Sequence, residues 1–118
     1  ASFGNTVDFA INDGSTSSDG ASHIDPQGFW IVSRTGSAVT TLYKNGTASG
    51  SIDATASAGV PTTNIYALAY NNNGSANQFC SDQLAMIFAA SGFTSGDAAN
   101  MSTDFNGGYM TSLGTNVY

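Results

Sequence analysis

Residues 29–54 read Phe-Trp-Ile-Val-Ser-Arg-Thr-Gly-Ser-Ala-Val-Thr-Thr-Leu-Tyr-Lys-Asn-Gly-Thr-Ala-Ser-Gly-Ser-Ile-Asp-Ala, and this stretch decides the fold class. Phe29 to Ser33 opens with four consecutive apolar residues, the pattern of a strand buried on both faces. Ala38 to Lys44 alternates instead, with Val39, Thr41 and Tyr43 on one side and Thr40, Leu42 and Lys44 on the other. Asn45-Gly46 follows at once. Both residues readily take positive φ, which a type I′ turn requires, so the pair predicts a two-residue hairpin loop. Thr47 to Ala54 is then the return strand.

Outward from this hairpin, short apolar runs separated by turn chemistry continue the all-β pattern. Phe3 to Ile11 carries Phe3, Val7, Phe9 and Ile11, the last three at alternate positions, and reads as a strand. Asn12 to Ser22 is almost wholly Asn, Asp, Gly, Ser and Thr, a long polar loop. Ala56 to Thr63, with Pro61, is another loop. Asn64 to Tyr70 alternates and predicts a strand; Asn71 to Gly74 makes a turn, and polar loop runs on to Gln78. Leu84 to Ala90 is apolar and long enough for a central strand. Thr94 caps a predicted helix, with Asp97 as the acidic member of a capping box. Ala98, Met101 and Phe105 share one face of it. Gly107-Gly108 should fray or break that helix, and Tyr109 to Val117 either resumes as a second turn or runs extended. With no repeat and no linker, residues 1–118 read as one antiparallel β domain with one short C-terminal helix.

Composition bounds the function. A chain of 118 residues and 12.0 kDa can bury a core without staples. No apolar run approaches the ~20 residues of a membrane helix, which excludes insertion of that kind. Only 8% of residues are charged, against about 25% in an ordinary domain. All eight acids are aspartate, and Lys44 and Arg34 are the two strong bases. A net charge of −6 leaves no basic surface for phosphates and excludes nucleic-acid binding. Aromatics at 11% with sparse charge argue for folding rather than disorder. Solubility then rests on Ser, Thr, Asn and Gly, a balance seen in exported, adhesive and viral surface proteins. Cys80 is the single cysteine, distant from the single histidine His23, and reads as a small buried apolar residue. The chain begins Ala1-Ser2-Phe3, which reads as a processed chain or an excerpt of a longer one.

Several segments in a fixed order carry a resemblance. They are Leu42-Tyr43-Lys44-Asn45-Gly46-Thr47, Asn64-Ile65-Tyr66-Ala67 and Asn72-Asn73-Gly74-Ser75-Ala76, followed by Phe79, Ser81, Gln83 and Ala85. Gly92-Phe93-Thr94 with Ala98-Ala99-Asn100 comes next, then Leu113-Gly114 and Val117. Over about two-thirds of its length the chain thereby resembles the concanavalin A-like, laminin G-type jelly-roll domains of tailed-phage and prophage structural proteins. It departs from them at Phe93, where Leu is usual, at Gly107-Gly108, which interrupt the expected helix, and at Thr115, where a basic residue is common. The resemblance implies an antiparallel β-sandwich. It also implies a non-enzymatic virion component (fibre, capsid decoration or tail) acting in assembly or surface-glycan attachment, at the virion surface or outside the cell. The family's domain is longer, and an incomplete sandwich leaves a free strand edge and an uncovered apolar face, so completion is expected from a neighbouring chain, in a homo-oligomer, or from an upstream portion of the same polypeptide.

Glycoside hydrolysis needs two facing carboxyl groups. Asp8 and Asp53 stand singly in or beside strands, while Asp13, Asp19 and Asp25 lie in loop sequence. A nucleophilic triad needs a histidine, His23 is the single one, and there is no Gly-x-Ser-x-Gly elbow, since the Gly-Ser pairs sit in turns. The expectation is a non-enzyme without cofactor. Asp13, Asp19 and Asp25 could hold Ca²⁺ on one loop, or they are turn residues and nothing more. A sugar site needs an aromatic plate and amides. Trp30, Tyr43, Tyr66 and Tyr70 are candidate plates, and Asn71, Asn72, Asn73, Asn77 and Gln78 candidate amides; Trp30, Tyr70, Asn71, Asn72 and Asn73 form the proposed set. The alternative packs Trp30 in the core and makes the Asn run a tight turn. Asn45-Gly-Thr, Asn73-Gly-Ser and Asn100-Met-Ser match the glycosylation pattern, as chance allows in such a chain. Two further functional readings stand beside the virion domain: a secreted or cell-surface carbohydrate-binding module, and a self-assembling filament or surface-layer subunit joined by strand addition.

Overall fold

The computed structural model describes residues 2–3, 6–12, 17–18, 23, 25, 27–60, 62–77, 79–81 and 84–115. Among them run β1 (Ser2–Phe3), β2 (Thr6–Phe9), β3 (Ser17–Ser18), β4 (Trp30–Gly36), β5 (Val39–Lys44), β6 (Thr47–Asp53), β7 (Tyr70–Asn72) and β8 (Ser75–Asn77). Helix α1 (Ser95–Thr103) continues as a π-helical segment, Asp104–Met110. All pairings are antiparallel, in sheets ordered β1-β2-β3, β4-β5-β6 and β7-β8.

The central sheet follows from local chemistry. Asn45 and Gly46 take φ of 52° and 80°, so the turn after β5 has the two positive values its sequence calls for. The Asn45 side chain accepts from Phe29 N at 2.8 Å, and its backbone N donates to Phe29 O at 2.8 Å, extending the ladder beyond Trp30. On one face Ile31 lies opposite Tyr43. Both are buried in a cluster with Phe29, Ala98, Phe105 and Met110, against which Phe88, Phe93 and Met101 pack. On the other face Val32 lies opposite Leu42 and Arg34 opposite Thr40. The strand buried on both faces is therefore β5, carrying Leu42 at 1% exposure and Tyr43 at 6%. The apolar run of β4 predicted that role for itself, yet Trp30 and Val32 are half-buried. The reason is position: β5 is the middle strand and β4 an edge.

Both edges are blunted. In β6 the pairing shifts between Leu42↔Ser49 and Thr40↔Asp53, a bulge at Gly50 (φ 71°) that bends the free edge. Beside β4, a Cβ on Gly92 would lie 2.5 Å from Arg34 O. Next to it the buried Ser33 hydroxyl donates to Phe93 O at 2.8 Å and accepts from Phe93 N at 2.7 Å. Arg34 fastens the N-terminal segment: its Nε donates to Ile11 O at 2.6 Å, and NH1 to Ser37 O at 3.0 Å and Thr55 O at 3.2 Å. Ala58 N adds a bond to Asn12 O at 2.7 Å.

Several expectations are corrected. Phe3–Ile11 is not one strand but contributes β1 and β2, which pair with each other. The polar loop after it contains β3, whose Ser17 and Ser18 pair with Phe9 and Asp8. Polar side chains say where a segment's surface goes, not whether its backbone finds a ladder. Asn64–Ala69 is irregular, with Ile65 82% exposed and Leu68 at φ 57°, a left-handed value that destroys strand alternation. Leu84–Ala90 forms no strand either; Leu84, Met86 and Ile87 face outward while Phe88 turns in to stack on Phe29 at 5.9 Å. An apolar strand needs an edge to pair with, and both edges of the central sheet are bulged or approached by Gly92-Phe93. The Asn71–Gly74 turn is narrower than expected: Asn71 and Asn72 belong to β7, and Asn73-Gly74 (φ 49° and 92°) make the turn into β8.

The helix start matches its sequence. Thr94 Oγ1 accepts from Asp97 N, and Asp97 Oδ2 accepts from Thr94 N at 2.9 Å, a complete capping box. Hydrogen bonds from the Thr94 side chain and then its backbone hold the Asp97 carboxyl below its ordinary pKa. A carboxyl depressed in the folded state stabilises it above the unfolded pKa, and that support is lost as pH falls through the folded value. Acidification below the ordinary aspartate range should fray α1, seen as lost helical circular dichroism, and Asp97→Asn should flatten this pH dependence.

Gly107-Gly108 do not break the helix, contrary to the sequence reading. The backbone widens into π turns; Thr111 N closes one by donating to Asn106 O, five residues back, and Thr111 Oγ1 donates to the same oxygen at 2.8 Å. This spacing brings Phe105 and Met110, five apart, into the same core. Straight α geometry would have turned them to different faces.

Candidate functional site

The proposed sugar-binding residues fall on two separate sheets. Trp30 lies on β4, whereas Tyr70, Asn71, Asn72 and Asn73 lie on the β7–β8 hairpin or its turn.

Around Trp30 the register decides the surroundings. Lys44 is its cross-strand partner, and the Lys44 ammonium stands 5.1 Å from the indole centroid. The His23 ring meets the indole edge-on, 4.9 Å between centroids at 89°. Lys44 Nζ donates to Asp25 O at 2.6 Å, and His23 Nε2 lies 3.2 Å from Ser49 Oγ. The chain's single tryptophan, single histidine and one of its two strong bases thus meet at one end of the meander. A cation over an indole at such a half-exposed site contributes about 0.5–1 kcal/mol. It also occupies a ring face that a sugar would otherwise stack on. The arrangement ties His23 and Asp25 to the sheet. Sequence reading missed Lys44 here, although the signal was present: a two-residue turn at Asn45-Gly46 fixes the register, and the bond from Asn45 N to Phe29 O aligns Trp30 with Lys44.

At the hairpin, Asn71 is an internal hub. Its Nδ2 donates to Thr63 Oγ1 at 3.2 Å and to Asn64 O, and its Oδ1 accepts from Gly74 N at 2.7 Å. Tyr66 OH donates to Gly74 O at 2.9 Å. Asn71 and Tyr66 therefore spend their polar groups joining residues 63–66 to the turn. Tyr70 is half-buried, and Asn72 and Asn73 are exposed at the tip. Tyr43, a further candidate plate, is buried in the core beside Ile31.

Of the three aspartates considered for Ca²⁺, Asp13 and Asp19 lie outside the described residues. Asp25 is exposed, and its Oδ1 accepts from Gln27 N at 2.9 Å in a local turn. The Lys44 ammonium on its carbonyl places positive charge where a cation would come. Among the described residues no three His, Cys, Asp or Glu side chains gather as a metal site. Cys80 is half-buried, and its backbone N donates to Leu68 O at 2.9 Å. No helix of the described residues is long and apolar enough to cross a membrane.

Compared with protein-family models, with curated proteins and with solved structures, the chain matches none of them.

Proposed function

We propose that this chain is a non-enzymatic structural subunit of a larger assembly, of the virion-associated display type, whose jelly-roll sandwich is completed by neighbouring copies. The observation that carries this reading is the set of large apolar side chains left exposed on a chain with surplus surface. The chain exposes 7193 Å², against roughly 6000 Å² expected of a monomeric protein of 12.0 kDa. That surplus exceeds the ~800 Å² each partner contributes to a standard interface. Its radius of gyration, 14.3 Å, is close to the roughly 13.5 Å of a compact chain of this length, so the surplus lies on a folded body.

Seven of the eleven large apolar residues exposed among the described residues lie at positions 60–68 and 79–87; Val39, Ile52, Tyr109 and Leu113 lie elsewhere. Phe79 is 77% and Ile87 63% exposed, with Leu84 and Met86 beside them in sequence, and Val60 and Ile65 face outward as well. Brought together in one patch, side chains of this size and number make an interaction surface. A surface poor in charge offers little electrostatic resistance to its burial by a second copy.

Light scattering tests the reading. The expected mass is a multiple of 12.0 kDa. A Phe79→Ser, Ile87→Ser double variant should shift that mass toward the single chain while leaving helical and hairpin signals in place. A monodisperse single chain at high concentration would sink the proposal.

A further inference from the structure

The chain contains three Asn-Gly pairs, Asn45-Gly46, Asn73-Gly74 and Asn106-Gly107, and the structure treats them differently. Glycine leaves the following backbone nitrogen unobstructed, so each pair carries the same intrinsic chemistry: that nitrogen can attack the asparagine side-chain carbonyl carbon. What distinguishes them is how much structure must open first.

Asn45 is held at both ends, its N donating to Phe29 O and its Oδ1 accepting from Phe29 N, each at 2.8 Å. Gly46 is seated on the helix, since an added Cβ would lie 2.9 Å from Ala99 Cα. Asn106 lies within the π segment, where its carbonyl accepts from Thr111 N and Thr111 Oγ1. Reaction at either pair requires undocking or unwinding core structure. Asn73-Gly74 differs: it is the exposed tip of a hairpin whose strands have three residues each. The nearest atom to a Cβ built on Gly74 is Thr63 Cγ2 at 3.8 Å. Gly74 N is restrained by its bond to Asn71 Oδ1 at 2.7 Å. A two-stranded hairpin is marginal on its own and opens at little cost.

We infer that, of these three pairs, Asn73-Gly74 is the site of spontaneous covalent modification, the reactant being water. Gly74 N bonds to Asn73 Cγ, closing a five-membered succinimide. The side-chain nitrogen leaves as ammonia, carrying the proton that Gly74 N gives up. Water then opens either imide carbonyl, leaving aspartate or the backbone-inserted isoaspartate. The product adds one negative charge, and the isoaspartate form lengthens the turn by a backbone atom. Gly74 then loses its place against Asn71 Oδ1 and Tyr66 OH, so residues 63–66 are released from the hairpin.

The test is peptide mapping by mass spectrometry after incubation at mildly alkaline pH, native and in urea. In urea the three pairs should react at similar rates. In the native protein Asn73 should react at least about tenfold faster than Asn45 or Asn106, the factor supplied by ~1.4 kcal/mol less opening free energy. Asn71→Ala, which removes the acceptor for Gly74 N, should accelerate Asn73 and leave the other two unchanged. Native loss at Asn45 or Asn106 as fast as at Asn73, or no acceleration in Asn71→Ala, overturns the inference.

Discussion

Phe105→Ala should cost about 3–5 kcal/mol of folding stability, the range for truncating a buried aromatic. Phe105 is the junction between the helical segment and the sheet. Its ring stacks on Phe29 at 4.8 Å and 21°, and it shares the core with Ile31, Tyr43 and Met110. Truncation leaves a cavity between elements that rigid neighbours cannot close, and it removes an aromatic pair worth about 0.5–1.5 kcal/mol beyond its area. Domains of this kind have about 5–15 kcal/mol in total, so a sizeable fraction of molecules should unfold under mild stress. Urea denaturation followed by circular dichroism reads this as a lower midpoint at unchanged slope. Tyr109→Ala is the control, because Tyr109 touches the same ring at 5.9 Å yet is 59% exposed. Equal losses in the two variants would mean that Phe105 does not join helix to sheet.

Gly46→Val should be comparably damaging, at about 2–5 kcal/mol, for two reasons that act together. Gly46 has φ 80°, where a β-branched side chain is strained. A Cβ there would also stand 2.9 Å from Ala99 Cα, 3.1 Å from Ser102 Cβ and 3.3 Å from Ala98 O. These three neighbours belong to α1, so the substitution pries the hairpin tip off the helix. Gly107→Ala is expected to do the opposite. Nothing lies within 4 Å of an added Cβ at Gly107, and helix propensity favours Ala over Gly by about 1 kcal/mol. Thermal melts of both variants check the pair: a fall for Gly46→Val and a small rise for Gly107→Ala. A neutral Gly46→Val would show that the close approach between turn and helix contributes nothing.

The parts of the fold legible from sequence are those whose cause is local. Asn45-Gly46 needs only its own two φ values to set the β5–β6 turn. The Thr94–Asp97 capping box needs four residues, and both of its hydrogen bonds form. Ala98 and Phe105 sit in the core with Met101 packed against them, as helical spacing said. Of the candidate sugar site, residue spacing alone could group Tyr70 with Asn71, Asn72 and Asn73. It could not show that Asn71 is spent on Thr63, Asn64 and Gly74, because those bonds depend on how the loop folds back. Nor could it show the Lys44 ammonium over Trp30, which needs the strand register.

The antiparallel hairpin, the position and cap of the C-terminal helix, and a charge-poor acidic surface follow from residues close in the chain, since backbone sterics, capping and composition act within a few residues. Long-range packing, in contrast, makes β5 rather than β4 the doubly buried strand and leaves Leu84–Ala90 outside any sheet. It likewise makes Gly107-Gly108 bend into π turns instead of ending the helix. Each of these depends on which edge is free to pair and which face is free to pack. Those are properties of neighbours far along the chain, and no local pattern of apolar residues carries them.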